Sequence, residues 1–157
     1  MSLEKAKAYL EERGFGDRVL CFEVSSATVE LAAAAVGCEP ARIAKSLTFK
    51  VDGQAIMVVC AGDVKVDNGK YKARFSTKAV MLTPEEVDAM IGHSIGGVCP
   101  FGILEGVTVY LDESLKRFET VYPACGNAAS AVKLTPDELF AISGAKEWID
   151  VTKLREM

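Results

Sequence analysis

Residues 47–60 read LTFKVDGQAIMVVC and carry the clearest structural signal in the chain. Two runs of β-forming residues flank Asp52-Gly53, a dipeptide typical of type I′ turns because both central residues of such a turn take positive φ. The second run, residues 55–60, is apolar throughout, which predicts a strand buried on both faces. We therefore expect a tight β-hairpin whose second strand lies inside the core.

Helical and extended patterns alternate irregularly on both sides of the hairpin. Upstream, apolar spacing and stop signals predict a helix over about residues 3–13, a strand over 19–24, a helix over 29–36, and a short helix over 40–44 that places Lys45 at a helix-to-strand junction. Downstream, they predict strands over 107–111 and 119–122, and helices that begin with capping boxes at Thr83-Pro84 and Thr135-Pro136. No β-α-β period is sustained. The predicted class is therefore α+β, with a mixed, curved sheet surrounded by helices.

Residues 67–76 allow two interpretations. Asn68-Gly69 is compatible with a second hairpin turn, whereas Tyr71 and Phe75 are four residues apart, which is the spacing of neighbours on one helix face. We predict the helix.

The composition is that of an ordinary globular protein, with half of the 157 residues apolar and a quarter charged. This length suits one domain, spanning residues 1–157. No stretch approaches the roughly 18 apolar residues of a membrane span, and the N-terminus lacks the pattern of a signal peptide. Five widely spaced cysteines without a C-x-x-C pair predict a cytoplasmic protein in which most of them are reduced core thiols, with neither a disulfide framework nor a zinc site.

Charge is distributed unevenly along the chain. Residues 45–78 contain seven basic and three acidic residues and so carry a local charge of +4. The net charge of the whole chain is −4, so the other residues together carry −8. Such asymmetry can hold phosphates on one face while the rest of the surface stays acidic. The alternative is a solvated helix with lysines on its outer side.

Two features carry candidate chemistry. Residues 92–102 read GHSIGGVCPFG; four glycines let a ligand approach closely and let backbone N–H groups bind a phosphate or a developing oxyanion, although the stretch also fits a sharp bend. Lys45 is able to bind a phosphate or a carbonyl oxygen, or to act as a base. A lysine is equally favourable at a helix C-terminus for structural reasons, because it faces the negative end of the helix dipole. His93 is the only histidine, and a catalytic pair of His93 with Cys99 stays open. One imidazole and scattered carboxylates do not form a set of metal ligands, so we predict no metal site.

The chain resembles the YbaK/ProRS-associated editing domain family, the stand-alone relatives of the insertion domain of bacterial prolyl-tRNA synthetases. The resemblance runs from about residue 24 to residue 151. It is carried, in the family's order, by TVELA (28–32) with VG (36–37), IAKSLTF (43–49), GDVKVD (62–67), IGGVCPFG (95–102) and DESL (112–115).

The resemblance implies a barrel-like sheet around a small amino-acid pocket, and hydrolysis of the ester between a wrong amino acid and the tRNA 3′-terminal ribose. Water and the substrate's own 2′-hydroxyl would serve in place of a protein nucleophile, and no cofactor is implied. The expected partners are the acceptor end of mischarged tRNA(Pro) and prolyl-tRNA synthetase, not DNA or a membrane. The expected substrate is Cys-tRNA(Pro), then Ala-tRNA(Pro), because binding differences discriminate small apolar groups weakly.

The resemblance also assigns roles to residues. Lys45 matches the essential lysine, and Gly96 and Pro100 match the G-x-x-x-P motif, which with Gly97 holds the scissile carbonyl. The expected substrate-binding residues are Phe22, Thr28, Ser46, Val98, Cys99, Gly126 and Asn127, and the expected tRNA-binding residues are Lys65, Lys70 and Lys72.

This chain departs from the family pattern at Cys99, where serine is frequent, and at residues 124–127. Two other functions stay open: a non-catalytic module that binds tRNA or a small molecule, and a thiol enzyme that uses Cys99 or Cys125.

Overall fold

A computed structural model describes residues 2–155. The α-helices in this part are α1 (Ser2–Glu12), α2 (Val29–Val36), α3 (Asn68–Phe75), α4 (Pro84–Met90) and α5 (Pro136–Ser143). The strands are β1 (Val19–Cys21), β2 (Ile43–Val51), β3 (Gln54–Ala61), β4 (Val64–Val66), β5 (Thr108–Asp112), β6 (Tyr122–Pro123), β7 (Ser130–Val132), β8 (Trp148–Ile149) and β9 (Thr152–Leu154). Short 3₁₀ helices cover Gly16–Arg18, Pro40–Arg42 and Glu113–Arg117.

The main sheet has five strands in the order β6-β2-β3-β5-β8. Strands β2 and β3 are antiparallel, whereas the β2–β6, β3–β5 and β5–β8 pairs are parallel. Two antiparallel pairs, β1–β7 and β4–β9, lie outside this sheet. The predicted α+β class with a mixed sheet is therefore confirmed. No helix in the described part is long and apolar enough to span a membrane.

The hairpin forms as predicted. Asp52 and Gly53 both have positive φ, at 51° and 78°, and Val51 pairs with Gln54. All residues of β3 after Gln54 are buried, because apolar clusters cover both faces of the strand.

Three further predictions are confirmed by local interactions. Thr83 and Thr135 each cap a helix through a complete capping box. Residues 68–75 form a helix rather than a hairpin, because Asp67 caps it and buried Tyr71 packs between Phe49 and Phe75, with ring centroids 5.1 and 4.7 Å away.

The helix predicted over residues 40–44 was wrong. Only Pro40–Arg42 is helical, as a 3₁₀ turn, and Lys45 is the third residue of β2 instead of a junction residue. The reason is remote pairing, since Ile43 and Ala44 join β6 and Ala44 also opposes Ala61 of β3. The strand predicted over 19–24 also stops earlier, at Cys21, and that predicted over 119–122 begins only at Tyr122.

Candidate active site

A cavity of about 250 Å³, the first cavity, lies at the edge of β2. Its walls come from the start of α2, from β2, from residues 81–82, from the glycine loop (residues 92–102) and from residues 122–131. Many wall residues are small, namely Ala27, Ala32, Ala44, Ala124 and Ala131. Met81 and Ile95, which also line the cavity, are 58% and 64% exposed and form an apolar rim. The space therefore suits a small, largely apolar group.

The outer edge of β2 is interrupted at this cavity. β6 pairs with β2 only at Ile43 and Ala44, and farther along the strand Leu82 N–H donates to Thr48 O over 3.2 Å. Backbone groups of alternate residues point to the same edge of a strand, so those of Ser46 face the interval between these two neighbours. The interruption leaves room for a ligand beside the β2 backbone.

The hydroxyl groups of the first cavity differ in their hydrogen bonding. Ser26 Oγ accepts from Ser130 N–H (3.1 Å), Ser130 Oγ accepts from Cys125 N–H (3.2 Å), and Thr28 Oγ1 caps α2 by accepting from Leu31 N–H (3.1 Å). Ser46 Oγ, by contrast, is buried and has no partner within residues 2–155. A buried hydroxyl without a partner costs stability, so a ligand group that reaches Ser46 Oγ gains a hydrogen bond that the folded protein lacks. Thr48 and Tyr122 also line this cavity, and neither hydroxyl has a hydrogen-bond partner among residues 2–155.

Lys45 is half-buried and lines the first cavity. Its ammonium donates one hydrogen bond to Val64 O, and a lysine ammonium has three donors, so two remain for a ligand. The turn before Val64 comes close to the rest of the site at Gly62, where an added Cβ would collide with Pro40 O and with a methyl group of Val29. Glycine at residue 62 therefore allows the carbonyl that holds Lys45 to be placed there.

The glycine loop supplies backbone donors, but not all those expected. Gly96 has φ +99°, a conformation that favours glycine. The Gly97 N–H donates to Ser94 O over 3.0 Å and is not free to bind a carbonyl oxygen. The N–H groups of Gly96 and Val98, which both line the first cavity, have no partner in the described part of the chain. The N–H group of Ile95, which also lines this cavity, has no partner among the described residues either, and we take the amides of Gly96 and Val98 as the donors to a carbonyl oxygen.

The structure divides the predicted site residues among three places. Lys45, Gly96, Thr28, Ser46 and Val98 line the first cavity. Gly97, Gly126 and Asn127 line a neighbouring space, the second cavity, together with Leu3, Glu4, Ser94, Ile95 and Ala128. Phe22, Cys99 and Pro100 line neither cavity.

The cysteine thiols are poorly suited to nucleophilic chemistry. Cys99 and Cys125 are fully buried, and burial raises the pKa of each thiol to about 12, so both stay protonated at neutral pH. His93 does not pair with Cys99, because Nε2 of His93 (2.6 Å) and Sγ of Cys99 (3.7 Å) both contact Phe101 O. Residues 2–155 contain no cluster of three or more potential metal ligands among His, Cys, Asp and Glu.

The predicted tRNA-binding lysines lie on β4 and α3. Lys65 and Lys72 are exposed and form no ion pair within the described residues. Lys70 is already bound, because its ammonium contacts Asp150 (3.0 Å) and Thr152 O (2.8 Å).

Sequence reasoning missed several walls of the first cavity. Thr48 could have been found from Ser46, because alternate residues of a strand share a face. Met81, Tyr122 and Ser130 come from distant parts of the chain, and no local pattern relates them to β2.

Comparison with known proteins agrees with this geometry. Residues 23–142 match the family model of the aminoacyl-tRNA editing domain. The chain belongs to this family. It is an aminoacyl-tRNA deacylase of the YbaK type, as the resemblance implied, and its substrate is an aminoacyl-tRNA.

Individual relatives extend the match over almost the whole chain. The uncharacterised protein YwhH of Bacillus subtilis (strain 168) is 52% identical over 154 residues, which cover 98% of each chain. The proline–tRNA ligase of Geobacillus sp. (strain WCH70) is 31% identical over 133 residues, which cover 82% of this chain but only 23% of the ligase.

Solved structures share the complete fold. A protein provisionally assigned as a trans-editing enzyme for prolyl tRNA synthetase has a TM-score of 0.87 and 35% identity, with 97% of each chain covered. The hypothetical protein APE2540 has a TM-score of 0.85 and 26% identity, covering 95% of this chain and 99% of the other.

Proposed function

We propose that this deacylase edits mischarged tRNA(Pro) in trans, removing cysteine first and alanine next. The similarity to part of the proline–tRNA ligases and to a provisionally assigned trans-editing enzyme supports tRNA(Pro) as the substrate class. The observation that carries the proposal is the first cavity, where a half-buried lysine, two unpaired backbone amides and alanine walls meet in about 250 Å³.

The reaction needs no protein nucleophile in this arrangement. The aminoacyl group occupies the first cavity, and the ammonium of Lys45 and the N–H groups of Gly96 and Val98 stabilise the carbonyl oxygen as it becomes negative. A water molecule attacks the carbonyl carbon, and the substrate's 2′-hydroxyl assists the proton transfer. The C–O bond to the ribose 3′-oxygen then breaks, and that oxygen leaves with a proton.

The preference for cysteine over alanine rests on Ser46. Alanine walls accept either side chain, but only a thiol can interact with the unpaired Ser46 Oγ. A polar group left without a partner disfavours the substrate that lacks the complementary group. Cysteine is therefore the first choice.

The test is deacylation of Cys-, Ala- and Pro-tRNA(Pro) by the wild-type protein and by Lys45→Ala. We expect loss of one mischarged species with Pro-tRNA(Pro) spared, and a fall of at least about 100-fold in the rate for Lys45→Ala, the size seen when an oxyanion donor is removed. Lys133→Ala, an exposed lysine outside both cavities, is the matched control and should keep full activity.

Two results would contradict the proposal. An active and correctly folded Lys45→Ala protein would exclude the mechanism. Tight tRNA binding by the wild-type protein without turnover of any tested ester would instead indicate a binding module.

A further inference from the structure

The carbonyl that holds Lys45 lies next to an ion pair. Lys45 Nζ donates to Val64 O, and the residue before Val64, Asp63, accepts two hydrogen bonds from the guanidinium of Arg117, over 2.6 and 3.1 Å. Each oxygen of the carboxylate binds a different nitrogen of the guanidinium, which is a strong and geometrically specific arrangement. Within the described residues, the charge of Asp63 is therefore paired with Arg117 and not with Lys45.

Lys45 is nevertheless close enough to Asp63 for their charges to interact. The hydrogen bond from Arg117 holds the pKa of the Asp63 carboxyl below its usual range, and the charge of Lys45 acts in the same direction. The Lys45 ammonium has two donors that Val64 O does not use, and opposite charges attract more strongly where water is partly excluded. A carboxylate released from Arg117 would therefore be drawn towards this ammonium and would compete with the substrate for it.

The guanidinium of Arg117 is fixed by a network behind it. Arg117 Nε donates to Ser114 O over 2.9 Å, and Ser114 Oγ accepts from Ala61 N–H over 3.1 Å. The fully buried carboxylate of Asp112 accepts from Ser114 N–H (3.0 Å) and from Thr152 Oγ1 (2.7 Å). It thereby connects the 3₁₀ helix that carries Arg117 to β9, the partner of β4. The guanidinium is therefore held in one orientation.

We propose that Arg117 is a positioning residue: it occupies the Asp63 carboxylate and so keeps the Lys45 ammonium open to the substrate. This inference rests on the role of Lys45 in the proposed function. Arg117 lines neither cavity, so it acts through Asp63 and not by contact with the aminoacyl group. Ion pairs that are partly exposed, as this one is, contribute little to stability, so its loss should affect the reaction more than the fold.

The first measurement compares Arg117→Ala with Arg18→Ala, the matched control. Arg18 binds both carboxylate oxygens of Glu138, over 3.0 and 3.1 Å, and the two arginine side chains are equally exposed, at 39%. In Arg117→Ala we expect kcat for Cys-tRNA(Pro) to fall by about 10- to 100-fold with KM nearly unchanged, the effect of a small displacement of a catalytic group. Arg18→Ala should keep the wild-type kcat. A rise in KM alone in Arg117→Ala would overturn the inference and would indicate that Arg117 contacts the tRNA.

The decisive variant is the double substitution Asp63→Asn with Arg117→Ala. It removes the carboxylate as well, so no negative charge is left beside Lys45, and it should recover most of the kcat that Arg117→Ala loses. An ion pair with a purely structural role would give no recovery, because the double variant also lacks the pair. A double variant no more active than Arg117→Ala would therefore contradict the inference while the proposed function stood.

A measurement without substrate keeps the two proposals separate. If the wild-type protein hydrolysed none of the esters, the proposed function would fail, and the side chain of Lys45 would be followed by NMR instead. Its Hε–Cε signal, assigned by its absence from Lys45→Ala, should shift in Arg117→Ala and return in the double variant. An unshifted signal in Arg117→Ala would exclude the positioning role. Arg117→Gln, which keeps a donor but no charge, replaces Arg117→Ala in these comparisons if that variant does not fold.

Discussion

The hydroxyl of Ser46 shows how a single residue can be unfavourable for stability and useful for binding. Protein interiors rarely leave such an oxygen without a partner, because its lost hydration is not replaced. The neighbouring Ser130 hydroxyl, in contrast, accepts a hydrogen bond from Cys125 N–H. Both serines line the first cavity, so a comparison of their alanine variants distinguishes a hydroxyl that serves binding from one that serves stability.

We predict that Ser46→Ala leaves the melting temperature unchanged or raises it, and raises KM for the cysteinyl substrate about two- to tenfold, the size of one hydrogen bond. Ser130→Ala, the matched control, should lower the melting temperature because Cys125 N–H loses its acceptor. Thermal unfolding and steady-state kinetics of both variants test this. A destabilised Ser46→Ala protein with unchanged KM would show that the hydroxyl has a structural role.

His93 predicts a pH dependence of stability. Burial lowers the pKa of His93 below its usual 6.5, and nearby Lys5 acts in the same direction, whereas the Phe101 carbonyl opposes them. The unfolded chain therefore takes up the proton first as pH falls, so the folded state loses stability below about pH 6.5 and is unaffected above it.

We expect the free energy of unfolding to fall by at most about 1.4 kcal/mol through His93 between pH 7.5 and pH 5.5. This limit holds because pH 5.5 lies one unit below the usual histidine pKa of about 6.5, and one unit corresponds to about 1.4 kcal/mol. His93→Gln keeps an N–H donor for Phe101 O and does not titrate, so its unfolding energy should change less over the same range. Urea unfolding at both pH values measures the difference, and equal pH dependence in the two proteins would exclude His93 as its source.

At the scale of elements, the predictions that hold are those whose determining residues lie within a few positions of each other in the sequence. The turn at Asp52-Gly53 and the caps at Thr83 and Thr135 are set by residues within a few positions, and all three are confirmed. Lys45 was misplaced because its extended conformation depends on pairing with Cys60 of β3, and because the residues before it, Ile43 and Ala44, pair with β6, almost 80 residues away. The division of the glycine loop between two cavities was equally invisible, since residues 126–128 form the opposite wall.

The cap of α5 gives a prediction for one element. Thr135 Oγ1 accepts from Glu138 N–H (3.1 Å), and the Glu138 carboxylate binds both Thr135 N–H (2.9 Å) and Arg18 (3.0 Å). Thr135→Ala should lower the free energy of unfolding by about 1 kcal/mol and the melting temperature by about 2–4 °C. Thr135→Ser should restore both values. Because α5 lines neither cavity, kcat/KM should stay unchanged in both variants, and a loss of activity would contradict this assignment.

At the scale of the whole molecule, folding redistributes the charge that the sequence concentrates in residues 45–78. Acids from outside this segment bind three of its seven basic residues, in the pairs Lys50–Glu86, Lys70–Asp150 and Arg74–Glu147. The positive excess available to a phosphate backbone is therefore smaller than the sequence indicates. Lys65, Lys72 and Lys78 are exposed and have no ion pair among the described residues, and the first two, on β4 and α3, are the predicted tRNA-binding lysines that keep their charge free.

We therefore predict that tRNA binding weakens with salt mainly through Lys65 and Lys72. Each lost phosphate contact should reduce the slope of log K against log salt concentration by about 0.7–0.9, so the double alanine variant should reduce it by about 1.4–1.8. Lys70→Ala should change the slope less, because Asp150 already compensates the Lys70 charge. Lys133→Ala, on another part of the surface, is the control. Binding measured between 50 and 200 mM salt tests the set; an unchanged slope in the double variant would place the phosphate contacts elsewhere.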